Sequence, residues 1–192
     1  GKVAFQRTFE VKAEMLDKYS FSFVAYGINY QSEVTINGNF IGRHLGGYSS
    51  FVVPIPVNVL QVGTENVIKV SVDNELTPKT TLPLRQQVGG WRTYGGIFRD
   101  IYLLATPKLA IEEMRARADV VSDAKGEVRS ARIFVHGEVA DHGFDLTTPG
   151  GLMGFQVEIQ DKLSGEMVGR SGISPLSPQQ NKSVSVDAEL VL

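Results

Sequence analysis

Apolar and polar residues alternate with a period of two along most of the chain, which is the mark of half-buried β-strands. Val3, Phe5, Phe9 and Val11 fall on one face of a first strand, with Gln6, Thr8 and Glu10 on the other. Tyr19, Phe21, Phe23 and Ala25 repeat the pattern. Val34 and Ile36 lead into Asn37-Gly38, and Phe40-Ile41 follow. Asn-Gly reaches positive φ at low cost, so the segment predicts a β-hairpin that turns Phe40 and Ile41 toward the core. Ile68, Val70 and Val72 alternate with Lys69, Ser71 and Asp73, and Ile97, Ile101 and Leu103 give another inward face. No stretch predicts an amphipathic helix.

The alternation stops between Asp73 and Gly96. This interval holds Pro78, Pro83, Gly89 and Gly90 together with Trp91, Arg92 and Tyr94. Long irregular loops in compact β domains are uncommon and are often functional. Thr106-Pro107-Lys108 is the best domain boundary, because proline ends the strand before it. A second alternating set follows. Met114, Ala116, Ala118 and Val120 are expected to face inward, opposite Glu113, Arg115, Arg117 and Asp119. Ile133, Val135 and Val139, then Phe155, Val157 and Ile159, then Val184 to Leu192 supply further inward faces. The pattern predicts an all-β protein of two sandwiches in tandem, residues 1–106 and 107–192. About four clear strands follow Pro107, against roughly seven in an immunoglobulin-like sandwich. The second sandwich is therefore expected to be incomplete at its C-terminus, as in a piece of a longer protein.

Composition narrows the chemistry. The formal charge of −2 gives no electrostatic case for nucleic acid or acidic membranes. No apolar run is long enough to span a bilayer, and the first residues do not form a signal peptide. There are no cysteines, which excludes disulfides, Cys-based zinc sites and thiol nucleophiles. His44, His136 and His142 are too scattered to suggest a metal site. No cofactor is expected.

Five segments, in order, carry a resemblance. They are Phe5-Gln-Arg-Thr-Phe9, Val34 to Gly42, His44-Leu-Gly-Gly-Tyr-Ser-Ser-Phe51, Val72-Asp-Asn-Glu-Leu-Thr-Pro78 and Tyr94-Gly-Gly-Ile-Phe-Arg-Asp-Ile-Tyr-Leu103. Across roughly residues 3–106 the chain resembles the N-terminal sugar-binding domain of family 2 glycoside hydrolases, the family of β-galactosidase, β-glucuronidase and β-mannosidase. The resemblance implies a galactose-binding-like jelly-roll β-sandwich followed by an immunoglobulin-like β-sandwich. It also implies a retaining exo-glycosidase whose two catalytic glutamates sit on a (β/α)₈ barrel after the sandwiches. Retention needs two carboxyl groups about 5 Å apart. The chain ends before a barrel, so no catalytic residue is expected in it. Asn74-Glu75 is the dipeptide of the family's acid/base, but it lies in a jelly-roll segment.

Some family members lend a loop carboxylate to the active site from a position that here is Gly89 or Gly90, which puts a direct substrate contact in doubt. Trp91, Arg92, Tyr94 and His44 are the candidate residues for contact with carbohydrate or with the barrel. An indole can stack on a pyranose, and a guanidinium can donate to hydroxyls or a carboxylate. Packing of Trp91 against a neighbouring domain is the structural alternative, and for His44 it is a half-exposed loop position. Gly46-Gly47 and Gly95-Gly96 read as tight bends, and Arg99 and Asp100 as neighbours on opposite faces of a strand. Expected partners are carbohydrate and the barrel of the same polypeptide. Periplasmic, secreted and cytoplasmic settings all stay open, as does the oligomeric state. A free-standing carbohydrate-binding module or adhesin is the competing function.

Overall fold

The computed structural model describes residues 1–75, 77, 94–143, 154–175 and 183–191. Contacts divide the chain into two compact units, Gly1–Thr106 and Pro107–Leu192.

The first unit opens with β1 (Lys2–Glu10), a six-residue helix α1 (Ala13–Lys18) and β2 (Tyr19–Ala25). Then come β3 (Ile28–Asn29), β4 (Gln31–Ile36), β5 (Asn39–Leu45) and β6 (Phe51–Ile55). A 3-10 turn at Val57–Val59 leads to β7 (Glu65–Asp73), and β8 (Gly96–Ile97) and β9 (Ile101–Pro107) close the unit. Two main sheets form, ordered β1-β7-β4-β5 and β6-β2-β9, with β3 and β8 as a short extra pair. This is the β-sandwich the alternation predicts, in the jelly-roll form the resemblance implies. Phe21, Phe23, Val34, Ile36, Val70 and Val72 are all buried between the sheets. Full burial of one such side chain stabilises by roughly 1.5–3 kcal/mol.

The hairpin at Asn37-Gly38 forms with both residues at positive φ, 51° and 81°, as a two-residue turn between twisted strands demands. Its consequence for the core differs from the expectation. The β4–β5 register shifts between Val34 and Thr35, so Phe40 pairs with Thr35 on the outer face. Phe40 is 60% exposed, and only Ile41 packs against the core. A bulge of this kind moves a side chain to the opposite face. Phe5 also departs from full burial, at 40% exposure, because β1 is an edge strand. The helix α1 was not expected. Six residues are too few for a 3.6-residue period to show, although Met15 and Leu16 do pack on the core.

Asn37 and Asn66 tie the sandwich together by a complete set of hydrogen bonds. The Asn37 backbone N–H donates to the Val67 carbonyl, while its Oδ1 accepts from the Val67 N–H, both at 2.9 Å. Its Nδ2 donates to the Val59 carbonyl (2.9 Å) and to Asn66 Oδ1 (2.8 Å). Asn66 is fully buried; its Oδ1 also accepts from the Gln61 N–H, and its Nδ2 donates to the carbonyls of Gln61 and Thr64. The side chains thus satisfy backbone groups that the turns leave without strand partners.

The second unit has β10 (Leu109–Ser122), β11 (Val128–Asp141), β12 (Gly154–Phe155), β13 (Glu158–Gln160), β14 (Met167–Arg170), β15 (Ser174–Pro175) and β16 (Ser183–Val191). One sheet is ordered β10-β11-β16, and two short pairs join β12 to β15 and β13 to β14. Seven strands among the described residues stand where about four were expected. The run Phe155, Val157 and Ile159 is divided between β12 and β13, and the two- to four-residue β14 and β15 are too short to show alternation, which explains the undercount. Val135, Val139 and Phe155 form the core, with Leu109, Ile133 and Val157 against it. The expected inward face of β10 is on the core side of the ladder, since Ala116 pairs with Val135. Nevertheless Met114, at 64%, and Ala116, Ala118 and Val120 are all exposed, on a strand at the edge of its sheet.

An Asn66→Ala variant should lose about 2–4 kcal/mol of stability, since it strands several buried backbone and side-chain partners at once. Urea unfolding followed by circular dichroism measures this; a loss below about 1 kcal/mol would show the network to be dispensable.

Candidate carbohydrate-facing corner

One corner of the first unit gathers the glycine motifs. β3 pairs with β8, placing Asn29 opposite Gly96. Asn29 is buried, and its Nδ2 donates to the Tyr94 carbonyl. A Cβ on Gly47 would collide with the Asn29 side chain, and one on Gly95 would lie 2.6 Å from Asn74 Cβ. Both positions therefore need glycine for close approach. Gly46, at φ +134°, donates its N–H to the Tyr30 carbonyl at 3.1 Å. Asn29 is thus the peg on which the Gly46-Gly47 turn and the Tyr94-Gly95-Gly96 turn both hang. Asn74 and Glu75 serve local structure here: Asn74 packs against Gly95, and the Glu75 N–H donates to Asp73 Oδ1 at 3.0 Å.

Two of the four candidate residues fall within the described structure. Tyr94 is 75% exposed and held by its backbone. His44 lies on strand β5 rather than in a loop, and it pairs with Ser32, whose side chain is in the core. The imidazole therefore points to the inner face, where it stacks on Phe51 of the other sheet at 4.2 Å and 11°. Its Nε2 bonds Ser49 Oγ at 3.1 Å. Partial burial lowers the His44 pKa below its ordinary 6.5, because desolvation disfavours the charged ring. Asn29 ties Tyr94 to the Gly46-Gly47 turn, while His44 is held separately by Phe51 and Ser49. Trp91 and Arg92 lie outside the described residues, as do Gly89 and Gly90.

Sequence reasoning missed an exposed aromatic patch beside this corner. Tyr48 and Phe98 pack at 5.8 Å, and the Arg99 guanidinium sits 6.0 Å from the Phe98 ring centre. Tyr26 and Tyr102 meet edge to face at 5.6 Å with their hydroxyls 2.8 Å apart. That hydrogen bond raises the Tyr102 pKa. Gly27 joins the two groups, since its Cβ position abuts the Phe98 ring and the Arg99 side chain. Arg99 and Asp100 lie in the turn between β8 and β9, not in a strand as expected. The signal was available: Tyr48 and Phe98-Arg99 belong to the segments that carry the resemblance. Aromatic faces with a guanidinium rim suit the apolar face and hydroxyls of a sugar. Among the described residues, no group of three His, Asp or Glu side chains could hold a metal ion.

No family model matches the chain. It is 34% identical over 88 residues to a β-glucuronidase of Bacteroides fragilis, which covers 46% of this chain and 12% of that protein. It is 28% identical over 141 residues to a β-galactosidase of Thermoanaerobacterium thermosulfurigenes, covering 73% of this chain and 18% of the relative. This chain is similar to bacterial β-glucuronidases and β-galactosidases, and to solved glycosyl hydrolases of family 2. Among solved structures, a glycosyl hydrolase family 2 member from Bacteroides cellulosilyticus matches the whole chain with a TM-score of 0.71 and 21% identity, over 24% of its own length. A Bacteroides fragilis structure matches the whole chain at TM-score 0.72 and 27% identity, over 27% of its length. The chain spans only 12% to 18% of these two curated glycosidases.

The shift at His44 has a signed consequence. The unfolded chain takes up the proton first as pH falls, so stability is full above about pH 6.5 and is lost as pH drops through that value toward the folded-state pKa. A His44→Phe variant keeps a ring on Phe51 without a titrating group. Its urea midpoint should fall less than that of the unmodified chain between pH 7.5 and pH 5; equal falls would show that His44 does not couple folding to pH.

Proposed function

We propose that residues 1–192 are a non-catalytic N-terminal portion of a retaining family 2 exo-glycosidase of β-galactosidase or β-glucuronidase type. Its role is to scaffold the enzyme and to shape the cleft that receives carbohydrate. The observation that carries this reading is the match of the whole chain, at TM-score 0.71, to about a quarter of a solved family 2 glycosyl hydrolase.

The carboxylates favour the same reading. A glycosidase acid needs a raised pKa, and its partner must face it across a cleft. Among the described residues, the two carboxylates with clear shifts, Asp123 and Asp161, are shifted down by backbone N–H groups of their own turns. Glu113, Asp119 and Glu158 sit in ion pairs with Arg115, Arg117 and Arg170 at the surface. These are turn-building and surface roles. Catalysis then belongs to a barrel elsewhere in the same polypeptide, and the second unit is the immunoglobulin-like domain that precedes it. The competing reading, a free-standing carbohydrate-binding module, draws support from the exposed Tyr48, Phe98 and Arg99 patch.

The 192-residue chain should leave nitrophenyl galactoside, glucuronide and mannoside unhydrolysed. Turnover that disappears in a Glu75→Gln variant would overturn the non-catalytic assignment. In the longer enzyme, Trp91→Ala should lower kcat/KM while scarcely changing the melting temperature of residues 1–192 alone. Unchanged kinetics would remove Trp91 from the substrate-facing surface.

A further inference from the structure

Strand β10 runs for 14 residues with β11 on one side and, among the described residues, no strand on the other. A long open edge presents a row of backbone donors and acceptors, which is a template for pairing with another strand. Proteins guard such edges with charge, and β10 carries four charges on its outer face: Glu113, Arg115, Arg117 and Asp119. Met114, Ala116, Ala118 and Val120 take the inner face, where Ala116 and Ala118 pair with Val135 and Ile133. The charges are held in place. Arg115 pairs with Glu113, and Arg117 pairs with Asp119 at 3.3 Å. The Arg117 guanidinium also sits 4.8 Å from the centre of the Phe134 ring on β11.

The order of signs, −, +, +, −, reads the same from either end, and this decides what the edge can accept. Two copies of β10 meeting about a two-fold axis run antiparallel, with residues paired symmetrically about the one on the axis. Opposite charges directly across such a pair attract and like charges repel. Centred on Ala116, the pairing sets Arg115 against Arg117 of the second copy and Glu113 against Asp119, so it is refused. Centred on Arg115 or Arg117, it sets that arginine against itself. Two registers bring only opposite charges together. The one centred on Met114 runs into the register shift between Ile111 and Glu113. The one centred on Ala118 uses residues 115–121, all within the uninterrupted ladder between that shift and the next at Val121 and Ser122. There Arg117 meets Asp119 of the second copy twice over, Ala116 meets Val120, and Ala118 meets itself with no bulk on the axis.

We propose that β10 is a self-association edge: two copies of this chain pair antiparallel through residues 115–121, centred on Ala118, into one continuous six-stranded sheet. The charges that keep other strands away select this register. A two-strand contact is smaller than a standard protein interface, so the dimer forms reversibly.

The inference does not depend on glycosidase activity, and its test is sedimentation equilibrium of the 192-residue chain over a concentration series. The unmodified chain should show a monomer–dimer equilibrium. Arg117→Asp sets acid against acid across the axis, and Asp119→Arg sets base against base. Each should weaken the dimer at least about tenfold. An equimolar mixture of these two variants should form a heterodimer, because every cross-strand pair is again of opposite sign; a misfolded variant would not be rescued by mixing. Arg115→Asp, which faces Val121 of the second copy, should change the dissociation constant less than about threefold. A chain that stays monomeric throughout, or a dimer indifferent to both charge reversals, would overturn the proposal. Loss of the dimer in Arg115→Asp but not in Arg117→Asp would overturn the register centred on Ala118.

Discussion

The register of β4 on β7 is the constraint on which the first unit depends. In that register Val34 faces Val70, Ile36 faces Ile68, and Ser32 faces Val72. Val34, Ile36, Val70 and Val72 are all buried in consequence. A slip of β4 by one residue would send Val34 and Ile36 to solvent, because side chains alternate between the faces of a strand. Hydrophobicity alone does not forbid a slip of two residues. Asn37 does: its backbone N–H donates to the Val67 carbonyl, its Oδ1 accepts from the Val67 N–H, and its Nδ2 reaches the buried Asn66 beyond. The apolar residues choose the face, and the two asparagines choose the position along it.

The corner that carries Tyr94 follows from the same arrangement. β3 continues into β4, and Tyr30 donates its N–H to the Asp73 carbonyl at the end of β7. This places Asn29 where it can hold Tyr94 and leave room only for glycine at 47. The corner presents exposed aromatic rings, a guanidinium and hydroxyls, with no acid–base pair among them. Such a surface suits the rim of a carbohydrate cleft better than its reacting centre.

Much of the fold was legible because period-two alternation is a direct image of a two-faced sheet, as at Ile68, Val70 and Val72. The failures have physical causes. Phe40 turned outward because a bulge between Val34 and Thr35 shifts the register, and no local pattern marks a bulge. The run Phe155, Val157 and Ile159 was read as one strand where β12 and β13 form, and β14 and β15 escaped notice because two to four residues hold too few alternations to count. His44 was read as a loop residue because the glycines after it mask the end of β5. Its pairing with Ser32 and its stack on Phe51 are long-range facts. The aromatic patch was written in the sequence at Tyr48 and Phe98, but the approach of Tyr26 to Tyr102 across 76 positions was not.

The central claim is that this region supports and shapes a glycosidase whose reacting carboxylates lie elsewhere in the polypeptide. A retaining mechanism passes through a covalent glycosyl-enzyme intermediate, so the nucleophile can be labelled where it stands. The direct measurement is to treat the longer natural polypeptide with a cyclophellitol-type aziridine and to map the adduct by peptide mass spectrometry. The account predicts one labelled carboxylate outside residues 1–192. An adduct on Glu75, or on any other acid within these residues, would contradict it.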